Sequence, residues 1–409
     1  MTTLAETPAA LFGPAVADAR HAAYAALAAT GPVHRITLPN GAPAWLVTGY
    51  DAVRAALGDP RLVKSPGPTP LEGLLPPAVN AAMNSDLLHN DPPDHTRLRR
   101  LVSGAFTRRR VDALAPRIQQ IADGLLDDLT GALAEHGEAD LIAAYAYPLP
   151  ITVIGELLGV PTRDQAGFRE WSTTVAGGAA ADRLAWVDAA TALVGFVREL
   201  VAAKRAHPAD DLMSALVAAR DGTDRLTEDE LTSMVFLLLI AGHETTVNLI
   251  GNGTYTLLTH PDRHALLLAE PERLPATIEE LLRFDGPVQV ATFRWTSVPV
   301  RIGDTVIPAG EIVIPGLLAA NRDPAAAAEP AVFEPTRDGA APHLAFGHGV
   351  HHCLGAPLAR LEARIALGSL LARLPDLRMA VPVAELRWRP SVLMHGLAAL
   401  PVIVNRAHP

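Results

Sequence analysis

The chain is poor in cysteine. Its 409 residues contain one, Cys353, which excludes a disulfide within the chain and any site that needs several thiols, such as an iron–sulfur cluster held by four cysteines. A single thiol is typical of a protein from a reducing compartment. Any chemical role of Cys353 must therefore use one sulfur alone.

The sequence has no excess of positive charge and no long apolar run. Its 34 Lys and Arg against 44 Asp and Glu give a formal net charge of −10, which argues against general nucleic-acid binding. The most apolar run, MVFLLLIAG, ends at His243 and Glu244, short of the roughly 20 residues that span a bilayer. The N-terminus lacks the pattern of a signal peptide. We expect a soluble, cytoplasmic protein without a membrane segment.

Linkers, repeats and low-complexity tracts are also missing. Although 409 residues would usually suggest two or three domains, we expect a single domain over 1–409. Helical periodicity dominates, and strand patterns are confined to parts near 33–50, 288–316 and 380–405. The expected fold class is mainly α with a small β-rich part.

Local signals predict several elements. Asn40-Gly41 suits a hairpin turn between VHRITL and AWLVTG, and YDAVRAALGDP predicts a helix that ends at Gly58. Five prolines predict an irregular, functional or mobile loop over residues 65–90. Another helix should begin after Thr227, where Thr-Glu-Asp-Glu supplies a cap and first-turn acids.

The stretch FGHGVHHCLG, residues 346–355, surrounds Cys353 with three histidines. Structural zinc is disfavoured because only one thiol is present and the adjacent side chains of His352 and Cys353 point in different directions. A bare nucleophile would need a base and an oxyanion pocket, and the glycine frame is not that of a nucleophile elbow. A buried cysteine acting as a small apolar residue is the simplest alternative.

The glycines of this stretch favour a different role. Gly347 and Gly349 permit a tight bulge of backbone around the sulfur. A helix is expected to begin near Cys353, where the helix dipole and free amide groups would lower the pKa of the thiol. Gly355 leaves a flat space one turn on. A thiolate beside such a space suits haem iron.

The stretch HLAFGHGVHHCLGAPLARLE resembles the haem-binding signature of bacterial cytochrome P-450 monooxygenases, and the resemblance extends over nearly the whole chain. It implies a single-domain cytochrome P-450 fold, a helical bundle around a buried haem b. Cys353 would be the thiolate ligand of the iron. The other residues that would contact the haem are Phe346, Gly347, Gly355 and Ala241.

The stretch AGHETT, residues 241–246, places an acid and an alcohol inside an apolar helix. A Thr hydroxyl here can bond a carbonyl one turn back and open a groove in the helix. A threonine cap or a satisfied polar pair is the ordinary alternative. The family resemblance instead implies that Glu244 and Thr245 are catalytic and deliver the protons that dioxygen needs.

Two further motifs combine acids, arginines and histidine. Glu280 and Arg283 share a helix face and could form an ordinary surface ion pair. By resemblance they would form a buried structural network with Arg337 that braces the cysteine loop. In NDPPDHTRLRRLV, His95 and Arg99 also share a face, with solvated charge as the alternative.

By the same resemblance, His95 and Arg99 would bind the two haem propionates together with Arg294 and His351, because guanidinium groups suit carboxylates. His352 departs from the family pattern, in which many relatives carry an aromatic residue such as Phe. We expect it to alter the packing on the sulfur side without replacing Cys353.

Arginine is dense over residues 97–110. An ordinary solvated face is the alternative to a patch that docks an acidic electron carrier. No part of the sequence indicates a flavin or iron–sulfur domain. We therefore expect a monomer that takes O2 and receives electrons from a separate ferredoxin and an NAD(P)H-dependent ferredoxin reductase.

The resemblance also assigns a substrate pocket, nearly all apolar, to Leu88, Leu237, Ile240, Ala241, Val290, Thr292 and Leu393. The 65–90 loop and the segment TVAGGAAADRLAW are expected to form its lid. The chain looks closest to actinobacterial macrolide- and polyketide-tailoring hydroxylases. We predict hydroxylation or epoxidation of a bulky, largely apolar small molecule, such as a macrolide, polyketide, statin-like or steroid-like compound. A peroxide-driven haem peroxygenase and a non-enzymatic haem-binding protein are the alternatives.

Overall fold

The computed structural model describes residues 7–14, 17–64, 73, 75–104, 106–161, 164–177, 182–209, 212–218, 220–221, 224–339 and 342–404. The chain divides into two compact units. The first comprises Met1–Leu62, Ala115–Leu149 and Thr245–Pro409, and the second comprises Val63–Leu114 and Pro150–Glu244. The prediction of a single domain remains a prediction.

The described residues are mainly helical, as predicted. The α-helices are α1 Thr7–Phe12, α2 Ala17–Ala28, α3 Tyr50–Gly58, α4 Pro77–Asn84, α5 Asp94–Ser103, α6 Arg108–Asp112, α7 Ala115–His136, α8 Pro148–Leu157, α9 Gln165–Gly177, α10 Arg183–Ala206, α11 Leu212–Ala218, α12 Glu228–Thr259, α13 Pro261–Ala269, α14 Leu274–Asp285, α15 Leu317–Asn321 and α16 Ala356–Arg373. A π-helix covers Ile142–Ala146, and short 3-10 helices cover Pro271–Arg273, Gly349–His351 and Val383–Glu385.

The strands are short and form small sheets. They are β1 Val33–Thr37, β2 Pro43–Val47, β3 Leu62–Val63, β4 Ala139–Asp140, β5 Arg220–Asp221, β6 Asp224–Arg225, β7 Arg294–Thr296, β8 Val300–Ile302, β9 Thr305–Ile307, β10 Ile312–Pro315, β11 Leu377–Met379 and β12 Pro401–Val404. The largest sheet has the order β1-β2-β10-β7-β3, a second has the order β11-β12-β4, and β5-β6 and β8-β9 are two-stranded.

The hairpin of β1 and β2 lies in the first unit. The strands pair antiparallel with Val33 opposite Val47, and Gly41 adopts a φ of +84° in the predicted turn. Such a positive φ favours glycine. β10 runs parallel to β2, and Val313 and Ile314 of β10 are fully buried. One hydrophobic cluster covers each face of the sheet.

Helices α7 and α16 of the first unit contact each other. The Tyr145 hydroxyl, from the π-helix, donates a hydrogen bond to the Ala366 carbonyl of α16 at 2.8 Å. Gln119 of α7 donates to the Ser369 hydroxyl of α16 at 2.8 Å. Helix α16 begins three residues after Cys353. These contacts therefore hold in place the helix that follows the cysteine.

In the second unit α10 contacts α4, α9 and α11. The Asp182 carboxylate caps α10 by accepting from the Ala185 N–H at 3.0 Å. The helix α4, Pro77–Asn84, corrects the expectation of an irregular 65–90 loop, since proline is well tolerated in the first turn of a helix. Residues 65–72 and 74 of that expected loop, and 178–181 of the expected lid segment, lie outside the described residues.

Helix α12 begins where the sequence predicts. The Thr227 hydroxyl accepts from the Glu230 N–H at 3.2 Å, and the Glu230 carboxylate accepts from the Thr227 N–H at 2.8 Å, which is a capping box. α12 is long and apolar enough to cross a membrane by length and composition, but 67% of its most apolar window is buried within the structure. A buried core helix passes the same test, so this helix is weak evidence for a membrane span.

Candidate active site

Residues 346–355, here called the cysteine loop, form a closed turn. The Cys353 N–H donates to the Phe346 carbonyl at 2.9 Å, and the His352 N–H donates to the Gly349 carbonyl at 3.1 Å. Gly347 and Gly349 have φ values of +73° and +75°. A Cβ on Gly349 would also lie 3.0 Å from the Leu57 carbonyl oxygen. The loop therefore needs these two glycines.

The thiol of Cys353 is exposed and forms no disulfide. Helix α16 begins at Ala356, with Gly355 as its N-cap, so the predicted helix start near Cys353 is three residues too early. The reason is the short 3-10 helix Gly349–His351, after which His352 is extended. A Cβ on Gly355 would lie 3.9 Å from the sulfur. The glycine thus keeps the space beside the sulfur free of a side chain.

A group of side chains that the sequence reasoning missed braces the cysteine loop. Arg360 of α16 forms a bidentate pair with Glu279 of α14 at 2.7 and 2.8 Å, and Glu279 also contacts His343 at 3.0 Å. Burial raises the pKa of Glu279, but the hydrogen bonds from Arg360 and His343 outweigh it and hold the pKa at about 2. The Arg360 guanidinium lies 4.4 Å from the centre of the Phe346 ring.

The structure brings Glu280, Arg283 and Arg337 together in a buried network. Glu280 accepts from Arg283 at 2.6 and 2.7 Å and from Arg337 at 3.1 Å. Arg283 also donates to the Asn321 carbonyl at 3.0 Å, and the Asn321 amide oxygen accepts from the Leu344 N–H at 2.6 Å. The network therefore reaches the segment immediately before the cysteine loop.

Helix α12 carries Glu244 and Thr245 in its middle. Glu244 is buried, whereas Thr245 is half-buried and Ala241 is exposed. A Cβ on Gly242 would lie 3.2 Å from the side chain of Ile154, so this glycine permits close contact with α8. The helix remains α-helical through residues 241–246. The sequence predicts a loosened helix with a groove at this point, but the structure shows no break in α12 here.

The four predicted propionate ligands fall into two pairs. In the second unit, His95 is buried and Arg99 is half-buried one turn further along α5. Burial lowers the pKa of His95, and the charge of Arg99 acts in the same direction. In the first unit, Arg294 of β7 is buried and donates to the Leu62 carbonyl at 3.4 Å, while His351 is half-buried in the cysteine loop.

The arginine-rich segment 97–110 is divided in its roles. Arg97 forms an ion pair with Glu230 of α12, so it helps to fix α5 within the second unit. Arg108, Arg109 and Arg110 of α6 are exposed, and Arg108 lies 3.7 Å from Asp112. Arg100 of α5 is exposed as well, so the exposed part of the predicted patch comprises Arg100 and the three arginines of α6.

The predicted pocket residues differ in exposure. In the second unit Leu88, Leu237 and Ile240 are half-buried, and Ala241 is exposed. In the first unit Thr292 and Leu393 are half-buried, but Val290 is 0% exposed within the core cluster that contains Ile314. Val290 thus packs in the core of the first unit, and its assignment to the pocket remains a prediction.

Another group that the sequence did not reveal is a polar cluster within the core of the first unit. Asp285 accepts from His21 at 2.7 Å and from His395 at 2.8 Å, both through Oδ1. Arg20 hydrogen-bonds the Nδ1 of His395. Because an arginine can only donate, the proton of His395 lies on Nε2 and points at Asp285. That tautomer has no lone pair on Nε2 for a metal, although the two histidines and the aspartate are close enough to surround one.

Comparisons with known proteins identify the family of this chain. The cytochrome P450 family model matches residues 185–375. Cytochrome P450 107B1 of Saccharopolyspora erythraea is 50% identical over 408 residues, which cover 98% of this chain and 99% of the relative. The tirandamycin C-bound P450 monooxygenase TamI has a TM-score of 0.85 at 46% identity, covering 94% of this chain and 97% of TamI.

A second similar structure is that of the cytochrome P450 PksS of the bacillaene polyketide synthase from Bacillus subtilis. Its TM-score is 0.87 at 37% sequence identity, and the match covers 94% of this chain and 97% of the PksS chain. The predicted fold class and the predicted family are confirmed by these matches. With a relative of this identity over nearly its whole length, the chain belongs to the cytochrome P450 family of haem-dependent monooxygenases.

Proposed function

We propose that Cys353 is the thiolate ligand of haem b in this monooxygenase. The observation that carries the proposal is the exposed thiol in a closed loop shaped by two glycines of positive φ. The chemistry of the site fits haem, because Gly355 keeps side-chain atoms away from one side of the sulfur. Phe346 and Gly347 belong to the same loop, and Ala241 is exposed on α12.

The propionates would be held by cations of matching chemistry. Arg294 is buried in the first unit, and guanidinium groups bind carboxylates through paired hydrogen bonds. His351, in the cysteine loop, would bind the propionates together with Arg294. His95 and Arg99 are the candidate propionate ligands on α5. The Glu280 network would keep the loop in place.

When bound, a haem with a thiolate ligand supplies the chemistry that cleaves dioxygen and oxidises a C–H or C=C bond. Glu244 and Thr245 would hold and move the protons that this chemistry consumes, one through its carboxyl group and the other through its hydroxyl group. Leu237 and Ile240, half-buried on α12, would contact the apolar substrate and exclude water from it.

The substrate we propose is a bulky, largely apolar small molecule of the macrolide or polyketide class, with statin-like and steroid-like compounds as further candidates. The support comes from the ligand of TamI, tirandamycin C, and from the polyketide synthase to which PksS belongs. We propose that the reaction is hydroxylation of a C–H bond or epoxidation of a C=C bond. The chain itself would be a cytoplasmic monomer.

For the electron donor we propose a separate ferredoxin with an NAD(P)H-dependent reductase. The exposed arginines of α6 give an acidic carrier a basic surface on an otherwise acidic chain. A hydrogen-peroxide-driven peroxygenase would not need Glu244 and Thr245. Product formed with ferredoxin, reductase and NAD(P)H should therefore exceed product formed with hydrogen peroxide, and the opposite ranking would favour the peroxygenase.

The decisive experiment is the carbon monoxide difference spectrum of the reduced protein. The wild type should show the red-shifted band of thiolate ligation, and Cys353→Ser should lose it. Val350→Ala, at an exposed neighbouring position of the loop, serves as the matched control and should retain the band. An unchanged spectrum in Cys353→Ser would show that the ligand assignment is wrong.

A further inference from the structure

Arg360 of α16 is held in a defined position beside the cysteine loop. It forms a bidentate pair with Glu279 of α14 at 2.7 and 2.8 Å, and two parallel hydrogen bonds fix the plane of its guanidinium group. The centre of that group lies 4.4 Å from the centre of the Phe346 ring. The ion pair and the aromatic ring together define where the positive charge of Arg360 lies.

Phe346 connects this charge to the cysteine. The Phe346 carbonyl accepts from the Cys353 N–H at 2.9 Å, so the residue whose ring contacts Arg360 also holds the backbone of Cys353. At the other end of the loop, the Ala359 N–H donates to the Gly355 carbonyl at 3.0 Å in the first turn of α16, the helix that carries Arg360. Both ends of the cysteine loop therefore hold Arg360 in a set place relative to Cys353.

The charges of Arg360 and Cys353 affect each other. The hydrogen bond with Glu279 raises the pKa of Arg360, burial lowers it, and the negative charges of Glu279 and of the Cys353 thiolate raise it further. A Coulomb interaction is mutual, so the positive charge of Arg360 favours a negative charge on the sulfur. Glu279 carries the opposite charge, and it therefore orients Arg360 while it weakens the electric field of Arg360.

Stability gives little reason for the pair of Arg360 with Glu279. The two side chains are 39% and 41% exposed, and ion pairs of such exposure add little to the free energy of unfolding. The network of Glu280 already connects α14 with the segment before the cysteine loop, through Arg283 and Asn321. What distinguishes the pair of Arg360 with Glu279 is its charge beside the sulfur.

We propose that Arg360 is a positioning residue that acts through Cys353 and raises the reduction potential of the haem site by its charge, and that Glu279 limits the size of this effect. The proposal rests on the proposed function, in which Cys353 is the ligand of the haem iron. Reduction by one electron adds one negative charge to the site, and a fixed positive charge nearby stabilises the reduced state more than the oxidised state. The site then accepts the electron from its donor protein more readily.

The test measures the reduction potential of the holoenzyme by spectroelectrochemical titration. Arg360→Gln removes the charge and should lower the equilibrium constant for one-electron reduction at least about threefold, which is about 28 mV at about 59 mV per tenfold. The expected effect is small because Arg360 is half-exposed and water screens its charge. Arg360→Lys keeps the charge and should lie closer to the wild type than Arg360→Gln does.

Glu279→Gln tests the same reasoning with the opposite sign. The glutamine oxygen can still accept a hydrogen bond from Arg360, but the negative charge that weakens the field of Arg360 is lost. The equilibrium constant for reduction should therefore rise, by at least about twofold. A purely structural role of the pair predicts changes in the same direction for both variants, because either substitution disturbs the same contact.

Arg373→Gln is the matched control. Arg373 lies on the same helix, is 36% exposed and pairs with Asp127 of α7 at 2.6 Å. At about 1.5 Å per residue it lies about 20 Å beyond Arg360 along α16, where salt screens its charge from the site. The proposal would be overturned if Arg360→Gln lowered the constant by less than about threefold, if Glu279→Gln did not raise it, or if Arg373→Gln had as large an effect as Arg360→Gln.

The carbon monoxide difference spectrum separates this proposal from the proposed function. A wild type without the thiolate band would show that the proposed function itself is wrong. If the wild type has the band and Arg360→Gln loses it, the potential of Glu279→Gln decides: a rise supports the role of Arg360, and no rise refutes it. If both variants keep the band, potentials that do not move in opposite directions refute only the role of Arg360.

Discussion

The buried polar cluster of the first unit should make the stability of this protein depend on pH. Burial lowers the pKa of His21 to about 4, and the positive charge of Arg322 lowers it further. The hydrogen bond and the charge of Asp285 raise this pKa, but by less than burial lowers it. An unfolded histidine has a pKa of about 6.5. Between these two values the unfolded chain binds a proton at His21 that the folded protein does not.

This difference determines both the sign and the size of the effect. Above about pH 6.5 neither state is protonated at His21, and the free energy of unfolding is unaffected. As the pH falls from 6.5 towards 4, stability is lost, up to about 3 kcal/mol for a shift of about 2.5 units at 1.36 kcal/mol each. Burial also lowers the pKa of His395, which adds to the loss in the same direction.

His21→Gln isolates the contribution of one residue. The glutamine amide can still donate to Asp285, but it does not titrate. We expect the variant to lose about 3 kcal/mol less than the wild type between about pH 7.5 and about pH 4. Urea unfolding followed by circular dichroism at a series of pH values measures this loss.

His136→Gln, at an exposed histidine, is the control and should follow the wild type. The reasoning would be refuted if His21→Gln and the wild type lost the same amount of stability over this range. It would also be refuted if the stability of the wild type did not decrease below about pH 6.5.

Three further substitutions test the site. Thr245→Ala should keep the thiolate spectrum but divert electrons to hydrogen peroxide, because the hydroxyl that would move protons is lost; an unchanged product yield per NAD(P)H would contradict this role. Glu280→Gln should cost about 3–5 kcal/mol in urea unfolding, because Arg283 is left buried without its full counter-charge; a loss below about 1 kcal/mol would show that the pair is dispensable. Gly349→Ala should lower the thermal midpoint and the haem content, since it combines a φ of +75° with a close backbone contact. Gly195→Ala, in open space on α10, should do neither, and equal effects of the two would contradict the need for glycine in the loop.

Features that depend on neighbouring residues could be predicted from the sequence. The start of α12 follows from the capping box of Thr227 and Glu230, and the turn between β1 and β2 follows from Gly41. The pairing of Glu280 with Arg283 follows from their spacing on one helix. The cysteine loop was recognisable for the same reason, because the glycines that shape it lie within ten residues.

Errors arose where distant segments compete. The prolines of residues 65–90 predicted a loop, yet Pro77 begins α4, whose other residues find contacts on α10. The burial of Val290 in the cluster that contains Leu46 and Ile314 likewise depends on segments that are distant in the sequence. Local pattern describes what a segment can form, and packing selects among those possibilities.

By itself the sequence determined the single thiol, its glycine loop, the acid–alcohol pair and the apolar helix that carries it. Only the tertiary structure decided which polar side chains meet within the units. Arg20 and His395 are 375 positions apart, and Asp86 meets Ser233 across 147. No periodicity connects such residues, and they come together because buried polar groups must find hydrogen-bond partners wherever the folded chain supplies them.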